Sequence, residues 1–391
     1  MRIVIAGGGT GGHLFPGIAI AEEIRMRYPD SEVAFIGTEH GIEATIVPMA
    51  GYPIHYIDAK GFVGKSMMEK ISAGIQMVLS VRDARRLLRR LKPDAIIGVG
   101  GYTSFGPVFA GALLSIPSIV AEQNSVPGLA NTVLGKIADA ICLTYHESIS
   151  FFPMGKTFVT GNPIRAGIVS GDRNSAYGLF GLDRYRFTVT IVGGSSGARN
   201  INNAVCSSFP YLHTLREELQ FLHQTGKGDF ESVREAYRKW GLKGTTAAFI
   251  YQMAEAYAVA DLVVARAGAT TLAELTAVGK PMILIPYPYA TARHQELNAM
   301  KLSEMGAARV ILVHDLNGET LAKQIMELYS DKVMRAEMER ASRAIGKPDA
   351  AQRVVDIVTS MLKKNALYKH QSRTGVVNCR VGANERSHKN V

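Results

Sequence analysis

Short apolar runs alternate with helix-period segments along almost the whole chain, and this alternation restricts the fold more than any other feature. Candidate strands are Ile3–Ala6, Glu32–Ile36, Ile54–Asp58, Ala95–Val99, Ser118–Ala121, Ala140–Leu143 and Thr157–Thr160. A second series follows at Thr188–Val192, Gln220–His223, Ala247–Ile250, Leu262–Ala265, Met282–Ile285 and Arg309–Val313. Between them lie segments with helical spacing, among them Pro16–Arg27, Lys70–Leu91 and Gln295–Met305. Near-continuous apolar strands separated by helices imply α/β architecture, with parallel sheets covered on both faces. From Asn162 to Arg186 the chain is richer in Gly, Asp, Arg and Asn. A boundary near Pro163 therefore divides the 391 residues into two doubly wound domains.

The two halves echo each other. Each opens with an apolar strand, a glycine-rich turn and a helix: Gly7-Gly8-Gly9-Thr10-Gly11-Gly12-His13 in the first and Gly193-Gly194-Ser195-Ser196-Gly197-Ala198-Arg199 in the second. Such turns aim backbone N–H groups at an anion beside a helix N-terminus. Gly7, Gly9 and Gly12 also fit the dinucleotide fingerprint, a weak match because no clear ribose-binding acid ends the second strand. A second glycine pair, Gly100-Gly101 before Tyr102, ends the fourth strand. Several such loops suit a reaction with more than one diphosphate, whereas a nicotinamide-dependent oxidoreductase needs only one. A non-catalytic nucleotide-binding scaffold is the third class these loops allow.

A further turn, Arg266-Ala267-Gly268-Ala269-Thr270-Thr271, opens a helix with small residues that favour a phosphate at its positive end. Glu274, one turn in, has two readings: a ligand for a ribose diol, or the acid of a Thr271-x-x-Glu274 capping box. No Asp-x-Asp pair occurs, so no metal is expected, and the charge of a leaving diphosphate falls to helix dipoles and to Arg or Lys.

The net charge of +10 does not indicate a nucleic-acid protein, because seven Lys or Arg against one acid follow Leu362, in a polar segment expected to be disordered. Cys142, Cys206 and Cys379 form no metal-spaced pair and fit a reducing cytosol. The opening run is too short for a signal peptide, and Phe105–Ala121 is too broken by Gly and Pro to span a membrane. Met67, Met68, Ile71, Ile75, Val78 and Leu79 can share a helical stripe ahead of Arg82, Arg85, Arg86, Arg89 and Arg90. That pattern reads as a basic amphipathic helix on an anionic membrane surface, or as a core helix with a solvated basic end.

Taken in order, these segments resemble the MurG family of peptidoglycan N-acetylglucosaminyltransferases. The matching pieces are Gly8–His13, Gly100-Gly101-Tyr102, Glu122-Gln123-Asn124, Gly161-Asn162-Pro163-Ile164-Arg165, Gly193–Arg199, Arg266–Glu274 and His294-Gln295-x-x-Asn298, spread over roughly residues 1–360. Ser196 stands where Gln is usual and Ala267 where Ser is frequent. The resemblance implies a GT-B fold with domains 1–163 and 164–346, a helix near 347–362 completing the first, and a basic tail 363–391 outside the pattern. It implies an inverting transfer of GlcNAc from UDP-GlcNAc to an undecaprenyl-linked acceptor, without cofactor or nucleic acid. It places the enzyme peripherally on the anionic cytoplasmic leaflet of the bacterial plasma membrane, where other cell-wall synthesis proteins are possible partners. Carried over by residue, Arg165 and the Ile250 backbone would frame uracil. Ser195 and the Ala269–Thr271 turn would hold the diphosphate, and Glu274 the ribose. Gln295 and Asn124 would bind sugar hydroxyls, with Thr10, Gly11 and Gly12 closing from the other side. Gly9, Gly100, Gly101 and Tyr102 would meet the acceptor diphosphate; with a lipid-linked acceptor, the amphipathic pattern itself points to Ile71, Ile75, Leu79 and Arg82 as the membrane contacts. His13 is the first candidate base and Glu122 the second.

Overall fold

The structure, a computed structural model, describes residues 1–59, 67–194 and 197–374. Its first sheet contains β1 (Arg2–Ala6), β2 (Glu32–Gly37), β3 (Ile54–Tyr56), β4 (Ala95–Gly98), β5 (Ser118–Glu122), β6 (Ala140–Leu143) and β7 (Thr157–Val159), in the order β3-β2-β1-β4-β5-β6-β7. The second contains β8 (Phe187–Val192), β9 (Leu219–Gln224), β10 (Lys243–Ala247), β11 (Leu262–Ala265), β12 (Met282–Leu284) and β13 (Ala308–Val310), in the order β10-β9-β8-β11-β12-β13. Every recorded strand pair is parallel; Ile3 of β1, for example, stands opposite Val33 on one side and Ala95 on the other. This is the two-domain, doubly wound GT-B arrangement. In each sheet the order reverses beside the first strand, between β1 and β4 and between β8 and β11. Ligands of such sheets bind at that reversal, outside the carboxyl ends of the strands.

The central strands form because their side chains are apolar on both faces: Ile3, Val4, Ile5 and Ala6 are all buried. One predicted strand is misplaced. The sequence pattern puts it at Ala247–Ile250, whereas the structure pairs Lys243–Ala247 with β9 and leaves Ala248–Ile250 as the loop beyond it. β10 is an edge strand of Lys, Gly, Thr and Ala, half-buried throughout, so it carries no apolar run to mark it.

The last helix, Ala350–Thr374, returns to the first domain. Val354, Val355 and Val358 are fully buried in the same apolar cluster as Ile3, Ile5, Leu14 and Ile18. Arg27, at the end of the helix Gly11–Arg27, donates to Asp356 at 2.5 Å. The helix continues past Leu362 to Thr374, so the segment expected to be disordered from 363 is helical over its first part. Residues 375–391, with Cys379, lie outside the described residues.

Replacing both Val354 and Val358 with Ala should lower stability by about 2–5 kcal/mol, from lost burial plus unfilled cavity. Denaturant unfolding measures this. A loss below about 1 kcal/mol would show that the helix does not close the first core.

Candidate active site

The loops after β1, β5, β8 and β11 line one cleft of about 810 Å³ between the domains, together with Gln224 at the end of β9 and residues following β7, β10 and β12. From the first domain come Thr10, Gly11, Gly12, His13, Gln123 and Asn124; from the second come Arg165, Gly193, Gly194, Ile250, Ala269–Thr271, Glu274 and Gln295. Most of the expected donor-binding residues are thus brought together. Ser195 and Ser196 lie outside the described residues.

The helix Gly11–Arg27 begins inside the first glycine loop, with Thr10 as an uncapped N-cap. The helix Ala269–Val278 begins at Gly268 in the same way, without a side-chain cap. The two N-termini touch: Thr270 Oγ1 donates to the Gly12 carbonyl at 3.0 Å. Glu274 is not a capping acid. Its carboxylate is buried, accepting from the Tyr257 hydroxyl at 3.0 Å and from Arg165 Nη2 at 3.4 Å. Burial pushes the Glu274 carboxyl up from its ordinary value, against the opposing pull of Arg165 and Tyr257. The Arg165 guanidinium also lies over the Phe15 ring of the first domain, 4.7 Å from its centroid, with its Nε buried and unpartnered among the described residues.

The amide side chains in the cleft are half-committed. Asn124 Nδ2 donates to Glu122 at 3.2 Å, which leaves its Oδ1 to accept. Gln295 Oε1 accepts from the Tyr287 N–H at 3.0 Å, which leaves its Nε2 to donate. A sugar hydroxyl both donates and accepts, so this pair suits one. The Ile250 N–H is taken by Gln224 Oε1 at 2.9 Å, so its carbonyl is the backbone group left to meet a base.

Two expected roles need correction. Glu122 is 2% exposed and does not line the cleft. Its carboxylate accepts from the N–H groups of Asn124 (2.9 Å) and Gly128 (3.2 Å) and from Asn131 Nδ2 (2.8 Å), besides Asn124 Nδ2. Its lone pairs hold the loop 123–128 in shape, which removes it as the base. Gly9 is the second. Its N–H donates to Glu43 Oε2 at 2.8 Å, while Thr38 donates to the other oxygen through both N–H (3.0 Å) and Oγ1 (2.7 Å). An internal carboxylate already occupies the amide expected to meet the acceptor diphosphate.

Gly100, Gly101 and Tyr102 do not line the cleft, and the glycine pair has a nearer purpose. Both have left-handed backbone, φ +93° and +76°. A Cβ on Gly100 would sit 2.6 Å from His13 Nδ1, and one on Gly101 2.8 Å from the Gly8 carbonyl. They make room for the His13 ring, whose Nδ1 meets Gln123 Oε1 at 3.0 Å.

Sequence reasoning left out Gln123 itself, although it stands inside the Glu122-Gln123-Asn124 motif. It also left out the aromatic wall of Phe249, Tyr251 and Tyr287. Phe249 lay hidden in the misassigned strand. Arg266 lies over Tyr287 at 5.6 Å and donates to the carbonyls of Ile285 and Pro286.

The chain matches the glycosyltransferase family 28 N-terminal domain over residues 3–143 and the corresponding C-terminal domain over residues 188–354. A protein of Thermodesulfovibrio yellowstonii, named UDP-N-acetylglucosamine--N-acetylmuramyl-(pentapeptide) pyrophosphoryl-undecaprenol N-acetylglucosamine transferase, is 48% identical over 364 residues, 93% of this chain and 100% of the relative. A Myxococcus xanthus protein of the same name is 43% identical over 93% of each chain. The crystal structure of Acinetobacter baumannii MurG superposes with a TM-score of 0.71 at 29% identity, covering 92% of this chain and 99% of that one. The chain belongs to the MurG family of N-acetylglucosamine transferases. It shares the fold alone with the Staphylococcus aureus MnaA–UDP structure, at a TM-score of 0.66 and 14% identity.

In this transferase, Glu274→Gln tests the buried carboxylate. The folded state holds the Glu274 proton more tightly than the unfolded chain does. Ionised Glu274 therefore costs stability as pH rises through the carboxylate range. Gln removes that cost and keeps an acceptor for Tyr257, but leaves Arg165 without its charged partner. The melting temperature should change little near neutral pH. If the carboxylate binds the ribose, the UDP dissociation constant should rise at least about tenfold, the loss of a charged hydrogen bond. A lowered melting temperature with parental UDP affinity, measured by calorimetry, would remove Glu274 from the ligand site.

Proposed function

We propose that the protein transfers GlcNAc, with inversion, from UDP-GlcNAc to the MurNAc of undecaprenyl-pyrophosphoryl-MurNAc-pentapeptide. The names of its close relatives support the reaction. The observation that carries the assignment of parts is the bond from Thr270 to Gly12. It sets His13, the next residue, beside the N-terminus of the helix that would receive the donor diphosphate.

The acceptor hydroxyl oxygen attacks the anomeric carbon of GlcNAc while the bond from that carbon to the β-phosphate oxygen breaks. The hydroxyl proton passes to His13, and UDP leaves with the electron pair of the broken bond. Negative charge grows on the diphosphate next to the Ala269–Thr271 amides, where the helix dipole stabilises it without reorganisation. Arg165 and the Ile250 carbonyl are the groups proposed for uracil, Glu274 for ribose, and Asn124 with Gln295 for the sugar. The acceptor diphosphate, displaced from Gly9 by Glu43, is left to the exposed first-domain loop around Thr10 and Tyr102.

The acceptor is lipid-linked, and no helix among the described residues is long and apolar enough to cross a membrane. Docking on the anionic leaflet is therefore proposed through the helix Met67–Leu91. Ala84 and Leu88 face the core, whereas Val78 (69% exposed), Leu79 (43% exposed) and Arg82 face solvent. The side chains of Ile71 and Ile75 lie outside the described residues.

Donor choice tests the reaction. UDP-GlcNAc should exceed its C4 epimer UDP-GalNAc by at least about tenfold in kcat/KM, measured as UDP release with a lipid I analogue, because a site built around hydroxyl contacts rejects misplaced ones. Equal rates would defeat the assignment. For the membrane, Val78→Ser with Leu79→Gln should weaken binding to vesicles containing anionic lipid while leaving UDP affinity unchanged. Added salt should weaken the parent's binding, at about 1 kcal/mol per basic residue near the surface. Unchanged vesicle binding in the variant would assign docking to another surface.

A further inference from the structure

The side chain behind His13 is Gln123, which follows β5 and is 1% exposed. Its Nε2 donates to the Ala121 carbonyl at 3.1 Å, and its Oε1 lies 3.0 Å from His13 Nδ1. The orientation of this amide is decided by its surroundings. Turned over, it would set its oxygen against the Ala121 carbonyl, two acceptors facing each other in a buried site. With Oε1 toward the ring, Nδ1 must carry the hydrogen, because an amide oxygen only accepts. The neutral ring then has its lone pair on Nε2.

The ring cannot turn without loss either. A flip would put Cδ2 where Nδ1 meets Gln123, on the side where Gly100 and Gly101 bring the backbone close. The titratable groups sharing the cleft are Glu22 from the same helix and Arg165, Arg199, Tyr251, Tyr257, Arg266, Glu274, Tyr287 and His294 from the second domain. Gly100, Gly101 and Gln123, packed against the ring, bring no charge.

We propose that Gln123 is a positioning residue that fixes His13 in the Nδ1–H tautomer and so makes Nε2 the basic nitrogen. The proposal rests on His13 as the base of the transfer. It names what makes that imidazole a base in the required direction: an uncharged amide, which sets the tautomer without adding the stabilisation of imidazolium that a carboxylate would bring.

The full-length protein, labelled with 15N-histidine, reports the tautomer directly through its ring nitrogens, and His13→Ala assigns the signal by subtraction. The parent should show protonated Nδ1 and unprotonated Nε2 once the ring is neutral. Gln123→Leu should bring in the Nε2–H form and lower kcat at least about tenfold, part of the roughly 10²–10⁴ a general base contributes, with UDP affinity unchanged. Gln123→Glu should restore the tautomer but move the acidic limb of the kcat/KM profile upward by about one pH unit, because a carboxylate favours the protonated ring. A parent spectrum with Nε2–H, or a Gln123→Glu profile on the parent's, would overturn the proposal. If Gln123→Leu fails to fold, the parent spectrum and the Glu variant still decide. His13→Ala within a few fold of parental kcat would instead refute the base, while the spectrum separately judges the contact with Gln123.

Discussion

The carbonyl of Gly12 is the point on which the relation of the two domains turns. In the helix Gly11–Arg27 its regular donor would be the N–H four residues on, and that residue is Pro16, which has none. A carbonyl left without a donor in a closing cleft costs about 1–3 kcal/mol. Thr270, from the second domain, supplies the missing hydrogen at 3.0 Å. The proline thus leaves an acceptor that a hydroxyl of the second domain satisfies. The same contact sets two uncapped helix N-termini side by side, each with positive partial charge. Like ends repel, so their juxtaposition suits an anion placed between them.

Arg165 completes the junction from the other side. It stands at the end of the connecting segment Gly161-Asn162-Pro163-Ile164-Arg165, and its guanidinium lies over Phe15 of the first domain and beside Glu274 of the second. A buried pair of this kind adds little net stability, because desolvation offsets its attraction, and breaking it by removing one partner is what costs. Its value lies in orientation. Tyr257 and Arg165 fix the two Glu274 oxygens separately. Beyond the cleft, Ser125 donates to Asn298 at 2.9 Å and Lys301 pairs with Glu147, a further pair of contacts between the domains.

Much of this was legible in the sequence because parallel sheets bury both faces of their strands, which writes them as apolar runs. The loops that gather at the cleft were legible for a related reason: glycine is required where backbone approaches a helix N-terminus or a neighbouring ring. β10 was not legible, since an edge strand half in solvent needs no apolar residues. The function of Glu43 was hidden too. It lies 34 residues from Gly9 in sequence, and nothing local to either residue reports the bond between them. Glu122 was the second candidate base, standing in the Glu122-Gln123-Asn124 segment that carries the resemblance. Its burial under Asn131 and the loop 123–128 appears only when tertiary contacts are known. The basic tail was read from composition, which cannot register that the terminal helix, anchored by Val354 and Val358, carries its register on to Thr374.

The same contacts explain why two domains of one design can do different work. Both have a glycine loop running into a helix at the reversal of strand order. In the first, Glu43 supplies the anion from within the protein and joins the loop to the end of β2 through Thr38. A phosphate there would have to displace a buried carboxylate already accepting three hydrogen bonds. In the second, the loop is held instead through its carbonyl: Gly194 O accepts from Gln224 Nε2 at 2.9 Å and from the Gly197 N–H at 3.0 Å. Among the described residues no carboxylate meets an amide of that loop. In the first loop the Gly9 amide is thus already satisfied, while Thr10 at its tip stays exposed. One arrangement of strand, glycine loop and helix is thus held from within by a carboxylate on one side of the cleft and by a carbonyl on the other.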